Sequence, residues 1–262
     1  MNSEEYNEIL FKAHLSDMSE RYEDMAEEMK LVVKIAAEKK TILTSEARNS
    51  FSVAYKYLVS SRRSSWRILC SEKQKLEAKG SSNIRLIDEK ITKIEAELLK
   101  YCDEVLEIID TYIFYPELVN DDVEYSIFFH KMKGDYYRYK AEVVRGDDEK
   151  IIASKAHEAY REATAKAEPL ASTNPIKLGL SLNCSVFYYE ILNDPKEACS
   201  IARTAFSNAI ENLEGLSEEH YRDSTLIMQL LRDNLTLWNS RTPEAMRISD
   251  DPKKEFTDSD EH

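Results

Sequence analysis

Residues 48–67 read RNSFSVAYKYLVSSRRSSWR and belong to a long stretch that decides the fold class. From Thr44 onward no Gly or Pro interrupts the chain until Gly80. Thr44 also carries a side-chain oxygen of the kind that caps the N-terminus of a helix. The stretch therefore predicts one helix of roughly 35 residues, and a helix of that length needs a packing partner along most of its face.

The whole chain shares this scarcity of turn residues, with 5 Gly and 6 Pro among 262 residues. A β-sandwich or barrel needs turn residues every 8–12 positions, so an all-β fold is excluded. A hydrophobic fraction of 42% and a charged fraction of 32% are typical of a globular protein. We expect an all-α fold with one helical domain over residues 1–240. The acidic, aromatic-poor residues 241–262 are predicted to be a disordered tail.

Apolar residues recur at helical spacing along most of the chain. A mid-helix Gly costs about 1 kcal/mol relative to Ala, so Gly134 predicts the close approach of a neighbouring backbone. Caps and Pro residues place the helix ends. The predicted helices cover about 21–35, 44–79, 83–116, 122–146, 147–169, 174–193, 194–215 and 217–238.

Charge and motif patterns exclude several function classes. Thirty-six Lys and Arg against 49 Asp and Glu give 36 − 49 = −13, which disfavours binding to nucleic acid. The acidic start lacks a signal peptide, no apolar run could span a bilayer, and four scattered Cys suit a reducing compartment. No His-Glu-x-x-His or Cys-x-x-Cys spacing occurs. We therefore expect no membrane insertion, no metal, no cofactor and no catalysis, and a cytoplasmic location with the nucleus left open.

Basic residues stand out because they share one face of the long predicted helix. Lys56, Arg63 and Arg67 lie at positions i, i+7 and i+11. No Asp or Glu occurs between Ala47 and Ser71, so this segment cannot neutralise the stripe by itself. Either the stripe is a solvated surface paired with nearby Glu, or it meets an outside counter-charge and binds an anion.

A second basic element, Arg138 beside Tyr139, lies on another predicted helix. A guanidinium fork and a phenolic hydroxyl together can hold a phosphate group.

Four long segments resemble one known family. They are RNSFSVAYKYLVSSRRSSWR at 48–67, KMKGDYYRYKAEV at 131–143, NPIKLGLSLNCSVFYYEIL at 174–192 and STLIMQLLRDNLTLW at 224–238. In this order, and over about residues 4–240, the chain is similar to the 14-3-3 proteins. The resemblance implies nine antiparallel helices per protomer and a cup-shaped dimer. It also implies an adaptor in signalling that binds phosphoserine or phosphothreonine peptides of client proteins in two grooves.

The resemblance also assigns individual residues. It puts Lys56, Arg63, Arg138 and Tyr139 on the phosphate. For the rest of the peptide it implies Asn183 and Asn234 on the backbone, Glu190 and Trp238 nearby, Lys131 at the groove edge, and an apolar wall of Leu182, Val186, Leu226, Ile227 and Leu230. Helical spacing agrees, since Asn183, Val186 and Glu190 lie at i, i+3 and i+7.

The family's dimer interface is implied as well, in a homodimer or a heterodimer with a paralogue. It would place Arg21 and Asp24 of one protomer against Glu97 and Lys93 of the other. Ser65 corresponds to a serine whose phosphorylation weakens some dimers. Lys90 departs from the aromatic phenol that many members carry there. Two other readings stay open: a helical scaffold for unmodified acidic peptides, and a helical enzyme with an uncharacterised site.

Overall fold

The computed structural model describes residues 3–114, 122–213 and 218–240, so the predicted tail at 241–262 lies outside the described residues. Nine α-helices and no strand occur in these ranges, as the all-α prediction requires. The helices are α1 (Ser3–Met18), α2 (Tyr22–Glu38), α3 (Ser45–Ala78), α4 (Ile84–Ile108), α5 (Val123–Val143), α6 (Asp147–Ala167), α7 (Pro175–Glu190), α8 (Pro195–Ile210) and α9 (Glu218–Ser240).

Side-chain caps start several helices where the sequence predicts them. Thr44 Oγ1 accepts a hydrogen bond from the backbone N–H of Ala47 at 3.2 Å, and the helix that follows has 34 residues. Asp122 caps α5 and Asn174 caps α7 in the same way. The side chain of Asn83 makes no such bond, so α4 begins without a side-chain cap.

Three details differ from the helices predicted by spacing, and the first is α1 (Ser3–Met18), which that prediction does not include. The segment that follows α4 continues as a π-helix over Ile109–Ile113. The close approach predicted at Gly134 is made first by a side chain, since the three nearest atoms belong to the ring of Tyr160 on α6. An added Cβ at Gly134 would lie 2.7 Å from two carbons of this ring. Glycine is therefore required by the packing of α5 against α6.

The chain forms two compact units that divide after Glu168. In the first unit, each helix from α1 to α6 packs against the next one along the chain. Its core includes the fully buried side chains of Met29, Phe51, Tyr55 and Phe129. Apolar burial of this kind supplies most of the stability of a helical domain, and it leaves the polar face of α3 outside the core.

The second unit packs α7, α8 and α9 against one another. Its core contains Leu178, Leu231 and Trp238, and the Trp238 indole stacks on Tyr189 with ring centroids 4.7 Å apart. The structure therefore shows two compact units, and the single domain expected over residues 1–240 stays a prediction. No helix in the described ranges is long and apolar enough to cross a membrane.

Candidate functional site

The basic stripe of α3 lies on its polar face, as the spacing predicts. Lys56 is exposed, and its ammonium group lies 5.9 Å from the centroid of the Tyr57 ring. The side chain of Arg63, two turns further along, is largely buried, whereas that of Arg67 is exposed. The middle of the stripe is therefore partly enclosed, whereas both of its ends are exposed.

The counter-charge that the stripe requires comes from Glu142 on α5. Arg63 donates from Nε to one carboxylate oxygen at 2.9 Å and from Nη2 to the other. Arg67 Nη2 donates to that second oxygen at 3.1 Å. The Glu142 side chain is only 8% exposed, so water screens these ion pairs weakly. Arg63 and Arg67 thus take their counter-charge from a Glu outside the helix segment, and whether the stripe also binds an anion stays a prediction.

Tyr139 brings the two predicted basic elements together. The guanidinium carbon of Arg63 lies 4.1 Å from the centroid of the Tyr139 ring, and that of Arg138 lies 4.8 Å away. Burial raises the pKa of the Tyr139 phenol, although the charges of Arg138, Arg63 and Lys131 oppose this effect. The phenol is therefore protonated at neutral pH and can donate a hydrogen bond to an anion.

Arg138 is held by a buried network that reaches α6. Its Nε donates to the hydroxyl oxygen of Tyr160 at 3.2 Å, and that hydroxyl donates to Asp135 at 2.6 Å. Lys131 donates to the other oxygen of Asp135 at 2.8 Å. Such a closed network fixes the direction of the guanidinium.

The charge state of Asp135 follows from these contacts. Burial by itself would raise the pKa of Asp135, but the charges of Lys131 and Arg138 and the hydrogen bonds from Lys131 and Tyr160 lower it below its ordinary value. Asp135 is therefore a carboxylate at neutral pH. Lys131, predicted at the edge of a peptide groove, is engaged by this carboxylate.

Apart from Lys131 on α5, the predicted peptide-contacting residues lie in the second unit, on α7 and α9. Asn183 and Asn234 are partly buried, and Glu190 is exposed. Trp238 is only 3% exposed and belongs to the core of the unit. Among the predicted apolar wall, Leu226 and Leu230 are exposed, whereas Leu182, Val186 and Ile227 are partly buried against the core.

The exposed leucines of α9 are informative. Leu226 exposes 65% of its surface although its helix packs on two neighbours. Apolar residues at helical spacing usually pack inward. Leu226 and Leu230 instead leave apolar surface exposed, which a ligand could cover.

The residues of the implied dimer interface make contacts within their own chain. Arg21 pairs with Asp24, and Glu97 accepts from Arg62 Nε at 3.3 Å. Arg62 also donates to Glu23 at 3.0 Å. Lys93 is exposed on α4, and Ser65 is exposed on α3.

Sequence reasoning missed three residues of this site, namely Asp135, Glu142 and Tyr160. The first two carry a signal that was available, because they lie three residues before and four after Arg138 and so share its helix face. Tyr160 carries no such signal, since it comes from a different helix. In the described ranges, no group of three or more His, Cys, Asp or Glu could hold a metal ion.

The fold and the site thus define an all-helical protein with a buried pair of oriented guanidiniums. Comparison with known proteins gives the family: the family model described as 14-3-3 protein matches residues 12–239. The chain is 65% identical to the 14-3-3 protein homolog of Encephalitozoon cuniculi over 241 residues, which are 92% of this chain and 93% of the relative.

Two further relatives agree. The 14-3-3 family protein artA of Aspergillus flavus is 52% identical over 91% of this chain and 98% of its own length. The 14-3-3-like protein C of Glycine max is 51% identical over 93% of this chain and 92% of its own. The chain belongs to the 14-3-3 family.

Proposed function

We propose that this protein is an adaptor that binds client proteins through phosphoserine or phosphothreonine. Membership of the 14-3-3 family supports an adaptor role in place of catalysis. The observation that carries the proposal is a pair of guanidiniums. Those of Arg63 and Arg138 both lie against the ring of Tyr139. Lys56, on the same face of α3 as Arg63, adds a third cation.

The charge of the ligand explains why phosphorylation controls binding. A phosphorylated serine carries about −1.5 to −2 charges at neutral pH. Hydrogen bonds between charged groups contribute roughly 1.5–3 kcal/mol each, and Arg63 and Arg138 can each supply at least one. An unmodified serine offers no charge to these cations, so it gains none of this energy.

The second unit supplies groups suited to the rest of an extended peptide. Asn183 and Asn234 each carry a donor and an acceptor that can pair with a peptide's own N–H and C=O groups. Bonds of this kind do not depend on the peptide's side chains. Leu226 and Leu230 offer exposed apolar surface for the flanking residues. We therefore expect modest sequence preference beyond the phosphorylated residue.

One binding experiment tests the phosphate dependence. Fluorescence anisotropy is measured with a labelled phosphoserine peptide and its unphosphorylated twin, using the wild-type protein, Lys56→Glu and Lys150→Glu. Lys150 is the matched control, since its side chain is 84% exposed on α6. We expect binding of the phosphopeptide alone, and at least a tenfold loss for Lys56→Glu only. Equal binding of both peptides would favour recognition of unmodified acidic peptides or another function.

The protein is further proposed to act as a dimer, with a second copy or a paralogue. Arg21 and Asp24 of one protomer would pair with Glu97 and Lys93 of the other, which requires their present intrachain pairs to open or to be shared. Light scattering after size exclusion tests this with Arg21→Glu, Glu97→Arg and the double variant. Each single variant should weaken the dimer, and the double variant should restore it. A monomer in the wild type would refute the proposal.

Ser65 is proposed as a site at which phosphorylation weakens the dimer. Its exposed position on α3 is compatible with modification. Native mass spectrometry of Ser65→Glu, with Ser154→Glu on the exposed face of α6 as control, should show a larger monomer fraction for Ser65→Glu alone. An unchanged dimer fraction would count against this role.

A further inference from the structure

We infer that Glu142 is a built-in competitor for the phosphate, which positions Arg63 and also limits the affinity of the site. This inference rests on the proposed phosphopeptide binding and adds a residue that sets its strength. Glu142 engages Nε and Nη2 of Arg63 and Nη2 of Arg67 together.

The bidentate contact determines how Arg63 meets a ligand. A guanidinium has five N–H donors, and two of those on Arg63 point to Glu142. Of the three remaining donors, two belong to Nη1 and one to Nη2, so the end of the fork between Nη1 and Nη2 still carries donors that Glu142 does not use. An incoming phosphate therefore meets Arg63 end-on, in a direction that Glu142 fixes before binding.

The charge of Glu142 acts in the opposite direction. Arg63 and Arg67 carry two positive charges and Glu142 one negative charge, so the three side chains together are +1. The carboxylate is nearly buried, and its repulsion of a ligand anion is weakly screened. A dianion bound to Arg63 is repelled by the Glu142 carboxylate. The affinity of the site for the dianion is therefore lower than the cations alone would give.

Removing the charge while keeping the shape separates these two effects. In Glu142→Gln the amide oxygen can still accept from Arg63, but the two guanidiniums lose their counter-ion. The free protein becomes less stable because the charge of Arg63, whose side chain is largely buried, is then uncompensated. A bound phosphate replaces the missing counter-ion, so the ligand should stabilise the variant more than it stabilises the wild type.

Glu104→Gln is the matched control. Glu104 is also a largely buried carboxylate of the first unit, and it accepts from Lys30 at 3.2 Å and from the Tyr55 hydroxyl. None of these residues belongs to the basic stripe. The control thus loses the same charge and a similar set of hydrogen bonds elsewhere in the unit.

The experiment measures dissociation constants and dissociation rates of a labelled phosphoserine peptide, together with Tm with and without the peptide. We expect Glu142→Gln to lower Tm of the free protein and to bind the phosphopeptide about tenfold more tightly through slower dissociation. Glu104→Gln should lower Tm without changing the affinity.

Two results would overturn the inference. One is unchanged or weaker phosphopeptide binding by Glu142→Gln, which would make Glu142 a purely structural partner of Arg63. The other is tighter phosphopeptide binding by Glu104→Gln, which would show that removing any carboxylate charge of the first unit raises the affinity. The unphosphorylated twin keeps the proposed function separate. If the wild type binds both peptides equally, phosphate recognition fails; if it prefers phosphate and Glu142→Gln does not bind more tightly, only this inference fails.

Discussion

The ring of Tyr160 lies against Gly134 so closely that a Cβ atom there would be 2.7 Å from its Cδ1 and Cε1 carbons. Tyr160 is fully buried, and its hydroxyl is bonded to Asp135 and Arg138. The ring therefore cannot swing away without breaking the network that orients Arg138.

Gly134→Ala should consequently destabilise the protein. In an exposed helix the change would stabilise by up to about 1 kcal/mol, but here overpacking should reverse the sign and cost about 1–3 kcal/mol. Urea denaturation checks this, with Ser154→Ala on the exposed face of α6 as a control for helix propensity. A Gly134→Ala variant as stable as wild type would show that α5 and α6 can separate freely.

Tyr160→Phe keeps the ring and removes the hydroxyl that bridges Arg138 and Asp135. We expect a loss of about 1–3 kcal/mol in the free energy of unfolding, since both buried partners lose a hydrogen bond. Phosphopeptide affinity should also fall, because Arg138 loses part of its orientation. Denaturation and anisotropy measure the two effects. Tyr221→Phe, at an exposed tyrosine of α9, should change neither quantity.

The ionisation of Asp135 should make the free energy of unfolding depend on pH in the acidic range. Its folded-state pKa lies below the ordinary value of 3.8, so its stabilising effect is fully present above 3.8 and is lost as pH falls through the lower folded value. Asp135→Asn should cost about 3–5 kcal/mol at pH 7, because Lys131 and Arg138 lose a buried counter-ion. The difference between variant and wild type should narrow as pH falls below 3.8.

This pH effect can be measured from urea denaturation curves at a series of pH values. Asp223→Asn, at an exposed position on α9, provides the control and should stay parallel to wild type. A constant difference between Asp135→Asn and wild type down to pH 2 would contradict the lowered pKa.

Trp238 should act mainly on the stability of the second unit. Its indole is buried and stacks on Tyr189, so Trp238→Ala should cost about 3–5 kcal/mol. The neighbouring Leu237 is exposed, and Leu237→Ala should be close to neutral. Denaturation followed by circular dichroism compares them. A stable Trp238→Ala with weakened peptide binding would instead assign Trp238 to the ligand.

Local chemistry explains which parts of the fold could be predicted. The cap at Thr44 and the Pro residues that open α7 and α8 act within a few residues of themselves, so their signal is complete in the sequence. Helical periodicity likewise predicted that Lys56 and Arg63 share a face. The π-helical turn at 109–113 has no such local signal and depends on the packing around it.

The candidate site was harder to predict, because its members meet only in the folded chain. The absence of carboxylates around Arg63 predicted a distant counter-charge without identifying it, and the only signal for Glu142 is its spacing of four residues from Arg138. Tyr160 lies 22 residues from Arg138 on another helix, and an aromatic residue at a helical core position gives no sign of its hydroxyl's partner. Trp238 illustrates the same difficulty, since its position on α9 did not indicate how deeply it is buried.

The pairing of Arg63 with Glu142 spans 79 residues of chain. At about 5–20 residues per second, the ribosome delivers the carboxylate about 4–16 seconds after the arginine. During this interval the basic stripe of the nascent chain has no acidic partner from within its own helix segment. The balanced site is therefore acquired only after α5 has been synthesised and has packed.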